Sequence, residues 1–190
     1  MQERQGHLGM GSHQSAQMLK DEWLTPPHII DALGGYESFD FDPCSPIKRP
    51  WPTARLHYTI ADNGLLKPWK GRGWFNPPYG GPAIVGPWMR RIADHGEGTV
   101  LIFARTETAL FFETVWKRAT ALLFLEGRLY FHHVDGTRAA ANAGAPSVLI
   151  AYGENDARVL RGCSIAGQYI DLMPIRLTPT VSITSISDVE

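Results

Sequence analysis

The stretch Gly73-Trp74-Phe75-Asn76-Pro77-Pro78-Tyr79-Gly80 constrains this chain more than any other. Trp74 and Phe75 form an apolar run of the kind that closes a buried strand. Two prolines follow almost at once. A proline has no N–H for a ladder and cannot continue inside a central sheet, so the chain must leave the sheet here in a rigid loop. At the carboxyl end of a strand in an α/β sheet, such a loop borders the usual ligand crevice.

The loop has a definite chemistry. Asn76 offers a side-chain carbonyl, and Pro77 and Pro78 have carbonyls but no N–H, so the backbone there only accepts. Asn76 Oδ1 and the Pro77 carbonyl together suit a planar NH2 group with two protons to share. Tyr79 adds a flat π-face for a heterocycle. The nitrogen of an aromatic amine or amide is a poor nucleophile, because its lone pair is delocalised. Two acceptors on its N–H bonds favour localising that pair as reaction proceeds, which is stabilisation directed at the transition state. Asn-Pro-Pro-Tyr resembles the catalytic loop of S-adenosylmethionine-dependent amino-methyltransferases, above all the DNA adenine-N6 enzymes.

The remaining residues bear on that resemblance in chain order. Residues 1–18 are rich in Gly, Gln, Ser and His and poor in large apolar residues, which predicts a flexible tail in which His7 and His13 are solvated. In Trp23-Leu24-Thr25-Pro26-Pro27, Thr25 suits an N-cap and Pro26 a first helical residue, with Gly34-Gly35 ending the helix. The Trp-x-Thr-Pro arrangement is similar to the opening motif of phage-type adenine methyltransferases. There it implies that Trp23, Thr25 and Pro26 meet the methionyl end of the cofactor.

Phe39-Asp40-Phe41-Asp42 alternates as a short strand ending at Asp42. Asp42 before Pro43 reads equally as a turn former or as a cofactor contact. A Gly-x-Gly turn is absent, but Asp42-Pro43-Cys44 resembles the phage-type family and implies cofactor contact. Residues 47–59 are irregular, locally basic and interleaved with aromatics, which fits a solvated loop or a site for a single strand or flipped base. Asp62-Asn63-Gly64-Leu65 signals a turn. Asp62 can accept from an adenosine amine or ribose, with Leu65 packed on the purine, and its place before the catalytic loop matches the family.

Downstream, helical spacing runs over 83–93, with Arg90 and Arg91 on a solvated face, and again over 109–119. Residues 100–104 have the apolar continuity of a central parallel strand. Further strands are expected at 121–125, 147–152 and 169–172, and a short helix at 156–161. Arg105, in Ala-Arg-Thr-x-Thr, is a phosphate or loop-orienting contact or a helix-start ion pair. Arg128, in Gly-Arg-Leu-x-Phe, is a candidate for the DNA side of the pocket. Residues 135–145 read as a mobile loop that orders over substrate, and 174–190 as an extended or disordered tail.

The alternation of strands, helices and loops predicts an α/β domain with a mostly parallel sheet. From Asp21 to Tyr152 the family-like stretches occur in family order. The chain resembles the phage-type DNA N6-adenine methyltransferases (the Dam family of phage and prophage proteins). That resemblance implies a Rossmann-like methyltransferase domain over 19–173 without a separate target-recognition domain. It implies S-adenosyl-L-methionine as cofactor, DNA as partner, and adenine N6 as acceptor on a flipped base.

No metal is implied, since a sulfonium is already a good leaving group. Methyl transfer to RNA or to protein glutamine remains an alternative, as does an inactive nucleic-acid-binding protein of the same fold. The net charge of −1 argues against tight non-specific DNA binding. No apolar run is long enough for a bilayer, and two cysteines, Cys44 and Cys163, give no disulfide framework. They read as reduced thiols of a cytoplasmic protein.

Overall fold

The computed structural model describes residues 22–173. The tails expected at 1–18 and 174–190 lie outside the described residues, as do His7 and His13. The elements in chain order are α1 (Pro27–Ala32), β1 (Phe41–Asp42), β2 (Leu56–His57), β3 (Gly73–Phe75), α2 (Pro82–His95), β4 (Gly98–Phe103), α3 (Ala109–Phe111), β5 (Ala121–Leu125), β6 (Ser147–Tyr152), α4 (Glu154–Gly162) and β7 (Gly167–Asp171). A 3-10 turn covers Tyr36–Ser38, and α3 continues as a π-helical turn over Phe112–Trp116.

One sheet takes all the strands, in the order β2-β1-β3-β4-β6-β5-β7. Pairings from β2 through β4 are parallel, and every pairing beyond β4 is antiparallel. The sheet is therefore mixed rather than mostly parallel, although β1 to β5 share one direction. The reason lies in the connections. A parallel neighbour needs a crossover, usually a helix. Residues 126–146 form no helix, so the chain turns back on the edge where β5 ends and β6 returns against it.

Period-two alternation divides the apolar strand residues between two cores. Trp74, Leu101, Leu123 and Leu149 pack with α1 and α4, through Ile29, Ile30, Leu33 and Leu160. Their sequence neighbours Phe75, Val100, Leu122 and Ile150 pack with α2 and the π turn, through Met89, Ile92 and Val115. Each fully buried side chain of this size contributes about 1.5–3 kcal/mol relative to exposure. With both faces covered, the strands read as continuous apolar runs.

Several local expectations shift. Thr25 is not the N-cap. Pro26 is, at ψ 137°, and the helix starts at Pro27. A residue before proline is pushed out of the helical region, so Pro27 keeps Pro26 extended and the start slides by one. Residues 47–59, expected to be irregular, contain β2. Residues 135–145, expected to be mobile, fold back along the preceding arm. Ala139 N–H donates to the Phe131 carbonyl and Ala143 N–H to the Leu129 carbonyl. Ala139 and Ala143 are buried there, and only small side chains fit so close. Arg90 and Arg91 are not simply solvated: Arg90 pairs with Glu113 at 2.8 Å, and the Arg91 guanidinium lies 4.1 Å over Trp69.

At the amino edge of the sheet a buried ion pair braces β3. Arg72 Nε donates to Asp156 Oδ1 at 2.9 Å. Thr99 Oγ1 donates to the same oxygen at 2.6 Å, and Arg72 Nη1 to Ser38 Oγ at 2.7 Å. Asp156→Ala strands the Arg72 charge in the interior and is expected to cost about 3–5 kcal/mol in urea unfolding. The double change Arg72→Met with Asp156→Leu should cost clearly less, since no unpaired charge remains.

Candidate active site

The strand order reverses at β1, with β2 on one side and β3 on the other. Connections leave such a switch point in opposite directions and open a crevice at the carboxyl ends of the strands. A cavity of about 450 Å³ occupies that place. It is lined by Glu22 and Trp23, by Pro43 to Pro46 after β1, by the 59–64 loop, by Asn76 to Tyr79 after β3, and by Trp88 of α2.

Asn76 is held at both ends. Its Nδ2 donates to the Trp23 carbonyl at 3.0 Å, and its Oδ1 accepts from the Tyr79 hydroxyl at 3.1 Å. The first bond requires nitrogen at Trp23, which sets the oxygen on the Tyr79 side. An amide oxygen has two lone pairs, so one remains after the Tyr79 bond. Among the described residues, no hydrogen bond takes up the Pro77 carbonyl. Pro77 is buried, while Asn76, Pro78 and Tyr79 are half-buried. The Tyr79 ring packs 4.6 Å from Phe103 and 5.5 Å from Phe131, centroid to centroid. Burial pushes its phenol well above the ordinary value, so the hydroxyl stays protonated. All four residues predicted for the catalytic loop thus line one cavity.

The turn after β1 is organised by Asp42, which is itself buried beneath the lining. Its Oδ1 accepts from Cys44 N–H at 2.9 Å and its Oδ2 from Thr53 Oγ1 at 2.5 Å. His57 Nε2 in turn accepts from Thr53 N–H at 3.1 Å. The structure brings Pro43 and Cys44 to the cavity, with Asp42 one layer behind. Burial, then the Asp42 carboxylate, pushes the Cys44 thiol up, so it stays a thiol. The 59–64 loop is similarly self-held. Thr59 N–H and Oγ1 both donate to Asp62 Oδ2, at 2.9 and 3.0 Å. Thr59, Ile60, Asn63 and Gly64 reach the cavity, whereas Asp62 and Leu65 do not. A Cβ at Gly64 would sit 2.0 Å from the Pro43 carbonyl oxygen. Only glycine lets these two loops close on one another.

Of the opening motif, Trp23 lines the cavity and acts on Asn76 through its backbone. Thr25 and Pro26 are buried outside the lining, and the Thr25 carbonyl accepts from Trp51 Nε1 at 3.0 Å. Arg105 is exposed beyond β4 and is not part of the cavity lining, and its carbonyl accepts from Thr108 Oγ1 at 2.9 Å. Arg128 lines a different cavity. Sequence reasoning missed Glu22, Ser45, Ile60 and Trp88. Ser45 follows directly on the Asp-Pro-Cys turn and could have been found there. Trp88 carried no signal, because only the path of α2 back over the loop brings it in.

A cofactor with a sulfonium, an ammonium, a carboxylate and an adenine needs acceptors, donors and an apolar wall, and Ser45 and Asn63 of the lining can donate. Among the described residues the lining has one carboxylate, Glu22, and no Lys, Arg or His. Trp23, Ile60 and Trp88 supply apolar and aromatic wall. The residues present fit such a group.

A seven-stranded mixed sheet flanked by helices, with this cavity at its switch point, is consistent with a methyltransferase-like α/β fold. The family model of the DNA N-6-adenine-methyltransferases (Dam) matches residues 12–166, and the chain belongs to that family. No curated protein and no solved structure matches it.

Burial pushes the Asp42 carboxyl from 3.8 up to about 6, against the opposing hydrogen bonds from Thr53 and Cys44 and the charge of Arg49. The native state then holds this proton more tightly than the unfolded chain. The stability it contributes is present below pH 3.8 and is lost as pH rises through about 6. Burial, then the charge of Arg49, lowers His57 from 6.5 to about 4, which works in the opposite sense. His57 remains in Asp42→Asn, so comparison with that variant isolates Asp42. Urea unfolding should show Asp42→Asn gaining roughly 2 kcal/mol on the parent protein between about pH 4 and pH 7.

Proposed function

We propose that this protein transfers a methyl group from S-adenosyl-L-methionine to the N6 amine of adenine in DNA, as a site-specific adenine methyltransferase. The family supports DNA adenine as the acceptor. The observation that carries the mechanism is the fixed Asn76 amide at the rim of the switch-point cavity. When bound, S-adenosylmethionine supplies a methyl group on a good leaving group. Glu22, Trp23, Cys44, Ser45 and the 59–64 loop are the residues that would hold it. The strand order, with its reversal at β1, supports a Rossmann-like reading of the domain.

The chain's own residues do the rest. Adenine N6 is enclosed in the base stack of a duplex, so the base must be flipped out to reach the loop. Asn76 Oδ1 and the Pro77 carbonyl accept its two N–H bonds. The Tyr79 ring lies flat against the base, and Pro77-Pro78 hold the acceptors still. Preorganised acceptors that strengthen as positive charge grows on N6 stabilise the transition state more than the ground state. Holding the amine at attack distance supplies a further share of the rate.

Asn76→Ala should reduce transfer of labelled methyl into DNA by about 10²–10³-fold or more. Cofactor affinity, measured by calorimetry, should stay close to that of the parent. Turnover near the parent level would remove the role given to Asn76. Labelling of RNA or protein in preference to DNA would remove the substrate.

A further inference from the structure

The arm after β5 reads Arg128-Leu129-Tyr130-Phe131-His132, polar and apolar by turns. In an extended segment successive side chains point to opposite sides. Leu129 and Phe131 are buried, and the Phe131 ring packs against Trp23 and Tyr79. Arg128, Tyr130 and His132 line a separate cavity of about 580 Å³, with His28 of α1 and with Arg138 from the returning strand.

This cavity is cationic in a chain whose net charge is −1. Glu126 is the one carboxylate in its lining. Among the described residues, Arg128 and Arg138 are not ion-paired, a state they share with Arg49, Arg91, Arg105 and Arg158, but these two line one cavity together. Arg128 reaches only the Ala143 carbonyl, at 3.4 Å. The Arg138 guanidinium lies 3.9 Å over the Tyr130 ring, which fixes its plane and leaves its N–H edge for an anion. Burial, then the charges of Arg138, His28 and His133, holds His132 below its ordinary value, a sign of how closely positive groups gather here.

The place is as informative as the charge. The strand β5 runs in the direction of β3, so its carboxyl end shares a sheet edge with the catalytic loop. A strap ties the two linings together: Leu24, next to Trp23 of the first cavity, and His132 of the second exchange backbone hydrogen bonds of 2.9 and 3.1 Å.

We infer that this face is where the sugar-phosphate backbone of the DNA docks, with Arg128 and Arg138 on phosphate oxygens, while an adenine enters the loop across the strap. The inference rests on DNA being the substrate. It assigns the grip of a protein without net positive charge to one local face. Such contacts set position and carry no sequence information.

Binding of a fluorescein-labelled DNA duplex, followed by anisotropy across a salt series, tests it. In Arg128→Gln/Arg138→Gln the slope of log affinity against log salt should flatten by about 1–2, since each lost phosphate contact removes about 0.9. Affinity should fall alike for unrelated sequences, and S-adenosylmethionine affinity should not change. Arg158→Gln, which removes one charge at an exposed position of α4, should leave the slope alone, and Arg128→Lys/Arg138→Lys should restore it. A Gln double variant with the parental slope overturns the inference. So does an equal loss in Arg158→Gln, or a Lys pair as weak as the Gln pair. If the parent protein binds no DNA in a salt-dependent way, the DNA reading itself fails and takes this docking face with it.

Discussion

A sheet that grows outward in both directions from one strand must leave a gap above that strand, and everything at this site follows from that gap. Here the strand is β1, flanked by β2 and β3 in parallel pairing. Chain segments leaving β1 and β3 diverge, and no helix can close the opening between them. The opening is a cavity edged by two short loops, 43–46 and 76–79. Each begins where a proline stops the ladder, because a residue without an N–H gives a neighbouring strand nothing to bond. The same prolines make the rim rigid and rich in acceptors.

Rigidity is then reinforced from outside the sheet. The Trp23 carbonyl fixes the Asn76 amide, so the segment before α1 is part of the cavity rim through its backbone as well as through the side chains of Glu22 and Trp23. Beneath the opposite rim, Cys44, Asp42, Thr53 and His57 form a buried chain of hydrogen bonds. A buried polar network of this kind is costly when incomplete and specifying when complete. It links the β1 turn to β2 on one side of the cavity. At the far edge of the sheet, the Arg72–Asp156 pair does for β3 what this network does for β1.

Much of this was legible along the chain. Trp74-Phe75 before Asn-Pro-Pro-Tyr announced a strand end with an acceptor loop, because apolar continuity and proline chemistry are local properties. The apolar runs at 100–104, 121–125 and 147–152 announced buried strands for the same reason. What misled was direction. A stretch without helical periodicity at 126–146 did not say that β6 would run back against β4 and β5, and the alanines at 139 and 143 looked like slack rather than close packing. The predicted cofactor contacts show the same limit: Asp42 and Asp62 were picked out as polar residues at turns, but both Asp42 oxygens and Asp62 Oδ2 accept from the chain beside them, and it is their neighbours that line the cavity.

By itself, the sequence determined where strands end, which loop carries paired acceptors and an aromatic face, and to which family the chain is similar. These depend on residues adjacent in the chain. Only the tertiary structure decided that Trp23, Gly64 and Trp88 meet at one cavity, that Arg72 finds Asp156, and that Arg128 lines a second cavity with Arg138 and His28 rather than the one at 76–79. Those are contacts between residues far apart in the chain, set by strand order and helix path, and no local pattern encodes them.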